Sequence, residues 1–296
     1  METTSIWFND LRDETGLKVL REGMPLLLDI YARYGIKTTF FFTGYIAGLY
    51  PDVVRMVLKD GHEVGSHGKS HLPENGFDVL SFERQKQHLE YTKNLLEDIS
   101  GQEVVSFRAP ALRVGEHTAM ALVETGYRID SSVASQRFDF FLSFGGLNKL
   151  KWLFAPRRPY RTSPNSIFKK GSGPLVEVPL SALFLPYVGT TMRIFPRITL
   201  VQRWGFHWEA GLSGKPVVFD IHPNEFLDES KKERVVHRRS RNPITYLLKD
   251  VIRSKLKIKN LGLEAVPLYE REIAFYKRRG YRFTTVREYC VEAGLL

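Results

Sequence analysis

Cysteine is almost absent from this 296-residue chain. One residue, Cys290, cannot form an intrachain disulfide framework, and its solitude fits a reducing compartment. Long apolar runs are missing too. No stretch approaches the eighteen apolar residues of a spanning helix, and the sequence from Met1 to Ser5 shows neither the basic start nor the apolar core of a secretory leader. The expectation is a non-spanning, cytoplasmic chain. Internal repeats and low-complexity segments are also lacking, which removes solenoids and disordered tails. Acidic residues are in deficit: 43 Lys and Arg stand against 33 Asp and Glu, for a net charge of +10. Such a surface favours anionic partners, although no nucleic-acid motif accompanies the basic residues and no nucleic acid is expected.

An apolar share of 43% is enough for a sizeable core, and 296 residues suit one barrel-sized domain, read here as 1–296. Strand-like and helix-like stretches alternate. Thr38–Thr43 reads as a buried strand, Pro51–Leu58 as a short helix, Ser81–Ser100 as a surface helix, Val104–Phe107 as a strand, 116–125 as a helix and 265–279 as another. Ser5–Phe8 reads as the first strand, 17–34 as the first helix with Pro25 pushing its start toward Gly23, Val217–Phe219 as a buried strand and Tyr281–Thr285 as a closing one.

The chemistry concentrates in Gly61-His62-Glu63-Val64-Gly65-Ser66-His67-Gly68-Lys69-Ser70-His71. His67 and His71, four apart and just after a strand, can face one point and hold a divalent metal as neutral imidazoles. His62, at the strand's other end, reads as structural. Further polar clusters close other strand-like runs at Phe107-Arg108-Ala109-Pro110, at Ile129-Asp130-Ser131-Ser132 and at Phe219-Asp220-Ile221-His222.

In that order, from about Ile36 to His222, these segments resemble the polysaccharide deacetylase family, also called carbohydrate esterase family 4 or the NodB-homology domain. The resemblance implies an irregular (β/α) barrel with its active site on one rim. It implies a metal held by Asp10, His67 and His71, zinc first, with cobalt, nickel or iron compatible with the same ligands. It makes Arg108 the partner of a catalytic carboxylate, and Asp130 the orienting partner of a general acid, His222. The match to Phe8-Asn9-Asp10 departs from the family's Phe-Asp-Asp, placing Asn9 where a general base is expected. Either Asp13 supplies the base, or Asp10 and Asp13 both serve after a shift of register, or Asp13 and Glu14 are solvated charges ahead of a helix. Gly68 replaces the family's Ser or Thr, and Asp220 replaces a leucine that walls the acyl pocket. A smaller, more polar pocket makes a formyl group a candidate beside acetyl.

The implied function is metal-dependent removal of an N-acyl group from an amino sugar in a glycan or a lipid-linked glycan precursor. A catalytically decayed glycan-binding protein is the alternative, motivated by Asn9. A basic, aromatic insertion at about 137–161, with Phe138, Phe154, Arg157 and Arg158, is expected either at the inner face of a membrane or folded over the core as a cleft lid.

Overall fold

The computed structural model describes residues 3–8, 10–137, 152–234, 242–243 and 246–296. Asn9 and most of the 137–161 insertion therefore lie outside the described residues.

The chain opens on a small antiparallel ribbon, β1 (Thr4–Ser5) and β2 (Asp10–Leu11), in register Ser5 to Asp10. This ribbon is not part of the main sheet. It is pinned instead to the later chain. Ser5 and Thr15 both donate to the buried Glu229 carboxylate, Asn224 Nδ2 donates to Thr4 O at 2.7 Å, and Trp7 Nε1 donates to Lys232 O at 3.0 Å. The first-strand expectation for Ser5–Phe8 is corrected accordingly: only Thr4–Ser5 is extended, and off the sheet.

The first helix starts earlier than Pro25 suggested. α1 (Asp13–Lys18) runs through a π turn at Val19–Gly23 into α2 (Met24–Tyr34). The π turn sits immediately ahead of Pro25, where a helix has to surrender a hydrogen bond anyway. Gly35, at φ 60°, ends α2 in the left-handed conformation that glycine adopts without a Cβ clash.

The main sheet is built in the order β3 (Thr39–Phe42), β4 (Glu63–Ser66), β5 (Ser106–Phe107), β6 (Ile129–Asp130), β9 (Val176–Glu177), β7 (Tyr160–Ser163), β8 (Ser166–Lys170). Its first five members pair in parallel, and β7 and β8 are antiparallel additions. Between these strands lie α3 (Gly44–Leu49), α4 (Pro51–Lys59), α5 (Phe82–Ser100) and α6 (Thr118–Glu124). Parallel pairing needs such crossovers. α4 has Pro at its first turn, and Ser81 caps α5 by accepting from Arg84 N. Val53, Val54, Val57, Leu89, Leu96, Phe107 and Leu122 pack as one core between sheet and helices.

Beyond β9 the regular ladder gives out. β10 (Ala182–Leu183) and β11 (Leu185–Pro186) form a separate two-stranded piece, followed by α7 (Gly189–Ile194) and α8 (Pro196–Ser213). The run 217–220 joins its neighbours through the bridge Val188 to Asp220, a bond from Ser181 N to Val218 O and another from Val218 N to Ser181 Oγ at 3.0 Å, and forms no ladder. Residues 281–285 form no strand. Two expected strands are thus replaced by unladdered chain, while the class remains α/β.

Candidate active site

Each polar cluster sits where a parallel strand ends. β4 delivers His67, whose backbone N donates to Phe42 O at 2.8 Å and so stays in the sheet's register. The chain then turns through Gly68 at φ 67°, where a Cβ would lie 2.9 Å from the Phe77 ring. A Ser or Thr would be strained there, and bracing comes from elsewhere. Ser66 Oγ accepts from Gly68 N at 3.3 Å, and Ser70 Oγ accepts from Leu72 N at 3.2 Å. The turn brings His71 back against His67, ring centroids 4.8 Å apart.

Both imidazoles are held neutral. Burial, then the neighbouring His71, pushes His67 well below its ordinary value, and burial with the nearby His222 takes His71 down to about 4. The His67 Nδ1–H donates to the carbonyl oxygen of Arg108, which leaves Nε2 with its lone pair. His62 stands apart. It packs edge-on to Tyr31 and Phe40 and accepts from Thr38 N through Nδ1.

Arg108, 6% exposed at the end of β5, is the hub of the site. Its Nε and Nη2 donate to Ser131 O and Oγ at 2.9 and 2.8 Å, and its Nη1 donates to Asp220 Oδ1 at 2.7 Å. Burial would raise Asp220, but Arg108, helped by His222 and His67, holds its carboxyl below the usual range. Two residues on, and so on the same side of an extended chain, stands His222. Burial pulls His222 down, yet Asp220 and then Glu225 overcome this and push it up to about 9. Its side chain is 51% exposed toward the cleft, so water softens those attractions without reversing them.

His67, His71, Arg108, Asp220 and His222 therefore line one cavity of about 520 Å³, together with Ala111. Ala111 and Leu112 both have positive φ, 52° and 55°, at the Pro110–Leu112 turn. Non-glycine residues keep such a backbone only when their surroundings impose it, and sites are where it collects.

The other expected site residues are elsewhere. Asp10 accepts from Arg12 Nε at 2.8 Å on the ribbon and does not line the cavity. Asp13 is exposed at the start of α1, accepts from Tyr45 O–H at 3.3 Å, and is likewise outside. Asp130 is fully buried behind the rim, accepting from Ser132 Oγ at 2.5 Å. Burial raises both Asp130 and its neighbour Glu177, the latter well above the carboxylate range. The carboxylates that act on His222 are Asp220 and Glu225. Asp220 was read from the sequence as a pocket-wall substitution. Its i, i+2 relation to His222 was the available signal.

As a metal site the donors fit in part. His67 and His71 are neutral and adjacent, and His67 is tied through Nδ1, as ligands of a divalent ion should be. Among the described residues, however, no group of three or more His, Cys, Asp or Glu side chains is arranged to hold a metal.

The family model described as polysaccharide deacetylase matches residues 3–129. Over that stretch, the chain is similar to the polysaccharide deacetylase family. It is 28% identical over 123 residues to the peptidoglycan deacetylase of Helicobacter pylori, covering 42% of this chain and 41% of that protein. It is 31% identical over 110 residues to a chitin deacetylase of Colletotrichum lindemuthianum, covering 36% of this chain and 43% of that one. The chain thus spans about two fifths of the length of these curated relatives. The crystal structure of a probable polysaccharide deacetylase from Pseudomonas aeruginosa PAO1 superposes with a TM-score of 0.59 at 18% identity, over 93% of this chain and 73% of that one, which establishes the likeness of fold. The polysaccharide deacetylase match ends at β6, so Arg108 and the histidine pair fall inside it, and Asp220 and His222 beyond it.

Proposed function

We propose that the chain hydrolyses an N-acyl group, acetyl or formyl, from an amino sugar of a glycan. The observation that carries this is the meeting of His67, His71, Arg108, Asp220 and His222 in one cavity at the strand ends. The peptidoglycan and chitin deacetylases among the relatives support the substrate class.

His67 and His71 would hold a divalent metal, zinc first, which when bound supplies a Lewis acid for the amide carbonyl. Asp220, kept ionised by Arg108, accepts a proton from the attacking water. This replaces Asp13 as the proposed base. His222, protonated at neutral pH and two residues from Asp220, would serve as proton donor to the departing amine. Ala111 lines the same cavity, and its backbone N–H would bind the developing oxyanion. Asp130 acts on this machinery indirectly, by fixing Ser132, whose Oγ accepts from Ala109 N at 2.8 Å.

Metal content per chain, measured with and without His67→Ala plus His71→Ala, tests the reading together with release of acetate or formate from N-acylated glucosamine oligomers. Near-stoichiometric metal lost in the double variant, and turnover lost with it, is the expected result. Metal retained without turnover in the unmodified protein would favour a glycan-binding protein instead, a reading that the remoteness of Asp10 and Asp13 from the cavity supports.

Association with an anionic membrane surface, and with it a lipid-linked substrate, is the finer proposal. Arg157 no longer serves it, because its guanidinium is engaged by Glu209 at 2.6 Å, and Trp152 is buried in the core. Support comes instead from α8, where Val201, Trp204, Trp208 and Leu212 lie exposed at helical spacing, with Arg279 stacked 4.4 Å over Trp204. No helix among the described residues is long and apolar enough to cross a membrane, so the contact would be peripheral. Flotation with phosphatidylglycerol vesicles should carry the protein up, and Trp208→Ala should reduce it.

A further inference from the structure

The chain after His222 returns a carboxylate to it. The turn Pro223–Phe226 is closed by Glu225 N donating to His222 O at 3.0 Å, which keeps the Glu225 side chain close to the imidazole. Glu225 is 1% exposed, and Gly189 makes room for it: a Cβ there would lie 2.5 Å from Oε1 and 2.6 Å from Oε2. The same glycine donates its N–H to Asp220 O at 2.8 Å. One residue without a side chain thus touches the segments of both acids that act on His222.

The two acids are not equivalent. Asp220 commits Oδ1 to Arg108, and among the described residues the ion-pair contact of the His222 ring is to Glu225, so Asp220 acts on the imidazole as a nearby charge. Glu225 is placed to do more. Arg193, fully buried, donates from Nε to Glu225 Oε2 at 2.6 Å, while its Nη1 donates to Lys257 O and Lys259 O, both at 2.8 Å. The other oxygen, Oε1, is buried without a hydrogen-bond partner among the described residues and stands 3.7 Å from His222 Nδ1. A buried acceptor left unmet costs free energy. Arg193 Nη2 is also unpartnered among the described residues, but that guanidinium is pinned by its other nitrogens. The His222 side chain is half exposed and has room to turn.

We propose that Glu225 is the positioning carboxylate of His222: a small rotation of the ring brings Nδ1–H onto Glu225 Oε1 and leaves Nε2–H as the proton to be given away. Which nitrogen of an imidazole carries or gives its proton is set by the hydrogen bond that the other makes. As the amide C–N bond breaks, the Nε2 proton passes to the departing amine nitrogen. His222 is then neutral, with its remaining proton on Nδ1 and still held by Glu225. Asp220 supplies charge and Glu225 supplies direction. The orienting role expected of Asp130 thus falls to a residue three beyond the histidine, braced from behind by Arg193. This role rests on the deacylation reading, in which His222 is the proton donor, but the contact itself does not.

Nitrogen-15 NMR of the His222 ring, recorded above its titration, reads the contact without any substrate. In the unmodified protein the neutral ring should carry its proton on Nδ1. In Glu225→Gln, Arg193 holds the amide oxygen and turns the NH₂ group toward the ring, so the proton should move to Nε2. A proton on Nε2 in the unmodified protein would overturn the proposal, and that result needs no variant to fold. The same tautomer in both proteins would overturn it too. With N-acetylated glucosamine oligomers, Glu225→Gln should lower kcat by about 10²-fold or more and leave KM little changed. Added to His222→Ala it should cost nothing further, because the two residues act as one unit. A merely structural Glu225 would add its own loss to that of His222→Ala, which would overturn the proposal. No turnover in the unmodified protein, with the proton on Nδ1 as expected, would remove the deacylation reading and keep Glu225 as the carboxylate that orients His222.

Discussion

The two sides of the cavity are built differently. On one side β3, β4, β5 and β6 form a continuous parallel ladder, and each places a polar residue at its end. On the other side, from Ala182 to His222, the chain is held by isolated bridges and side chains: Arg108 to Asp220, the fully buried Arg193 to Glu225 at 2.6 Å, and Tyr187 O–H to Glu272 at 2.5 Å. The histidines just past the end of β4 are neutral, and His67 is fixed by the Arg108 carbonyl. His222, on the side-chain-held half, is cationic and fixed by charge. The division of labour follows, since a ligand for a cation must be unprotonated while a proton donor must not be.

The largest effect is expected from the ladder side. His67→Ala with His71→Ala should reduce N-deacylation to background and leave the fold intact by circular dichroism, because neither ring carries core packing on the scale of Phe107. Next comes the hinge between the halves. Arg108→Ala strands the Asp220 carboxylate, whose side chain is only 19% exposed. Breaking a buried pair in this way costs about 3–5 kcal/mol, to be read from urea unfolding. His222→Ala, on the charge-held half, should lower the rate by about 10² to 10⁴-fold with little loss of stability.

The pH response separates the halves as well. His222 has a raised value, so its stabilising contact is complete below the ordinary histidine range and is lost as pH rises through about 9, and the rate should fall over the same interval. His71 is depressed to about 4, so its contribution works the opposite way: stability declines as pH drops below about 6.5, where the unfolded chain takes up the proton first. A pH–rate profile beside a pH–stability profile would resolve the two limbs. The smallest effect is local. Gly68→Ala places a Cβ at positive φ and against Phe77, and should cost about 1–2 kcal/mol while the histidine ligands remain in sequence.

What could be read from the sequence tracks the same division. Strands β3 and β4, helices α4 and α5 and the turn from His67 to His71 are local affairs of apolar runs, caps and glycine, and the pattern of residues specifies them. Arg108 was legible as a site residue for the same reason. Its partner was not, because the partner is Asp220, 112 residues away, and only the fold selects among the carboxylates. Asp130 illustrates the converse. It looks like an orienting carboxylate, but Ser132 and Glu177 lie closer to it than the rim does. The ribbon at Thr4–Leu11 was opaque because Glu229 and Lys232, far along the chain, decide where it lies.

Asp220, rather than Asp130, is the carboxylate that raises His222. Titration of His222 by NMR in the unmodified protein, in Asp220→Asn and in Asp130→Asn tests it directly. The expected result is a value near 9 in the unmodified chain, a clear fall in Asp220→Asn, and no appreciable change in Asp130→Asn. A fall in Asp130→Asn with Asp220→Asn unchanged would contradict it and return the orienting role to Asp130.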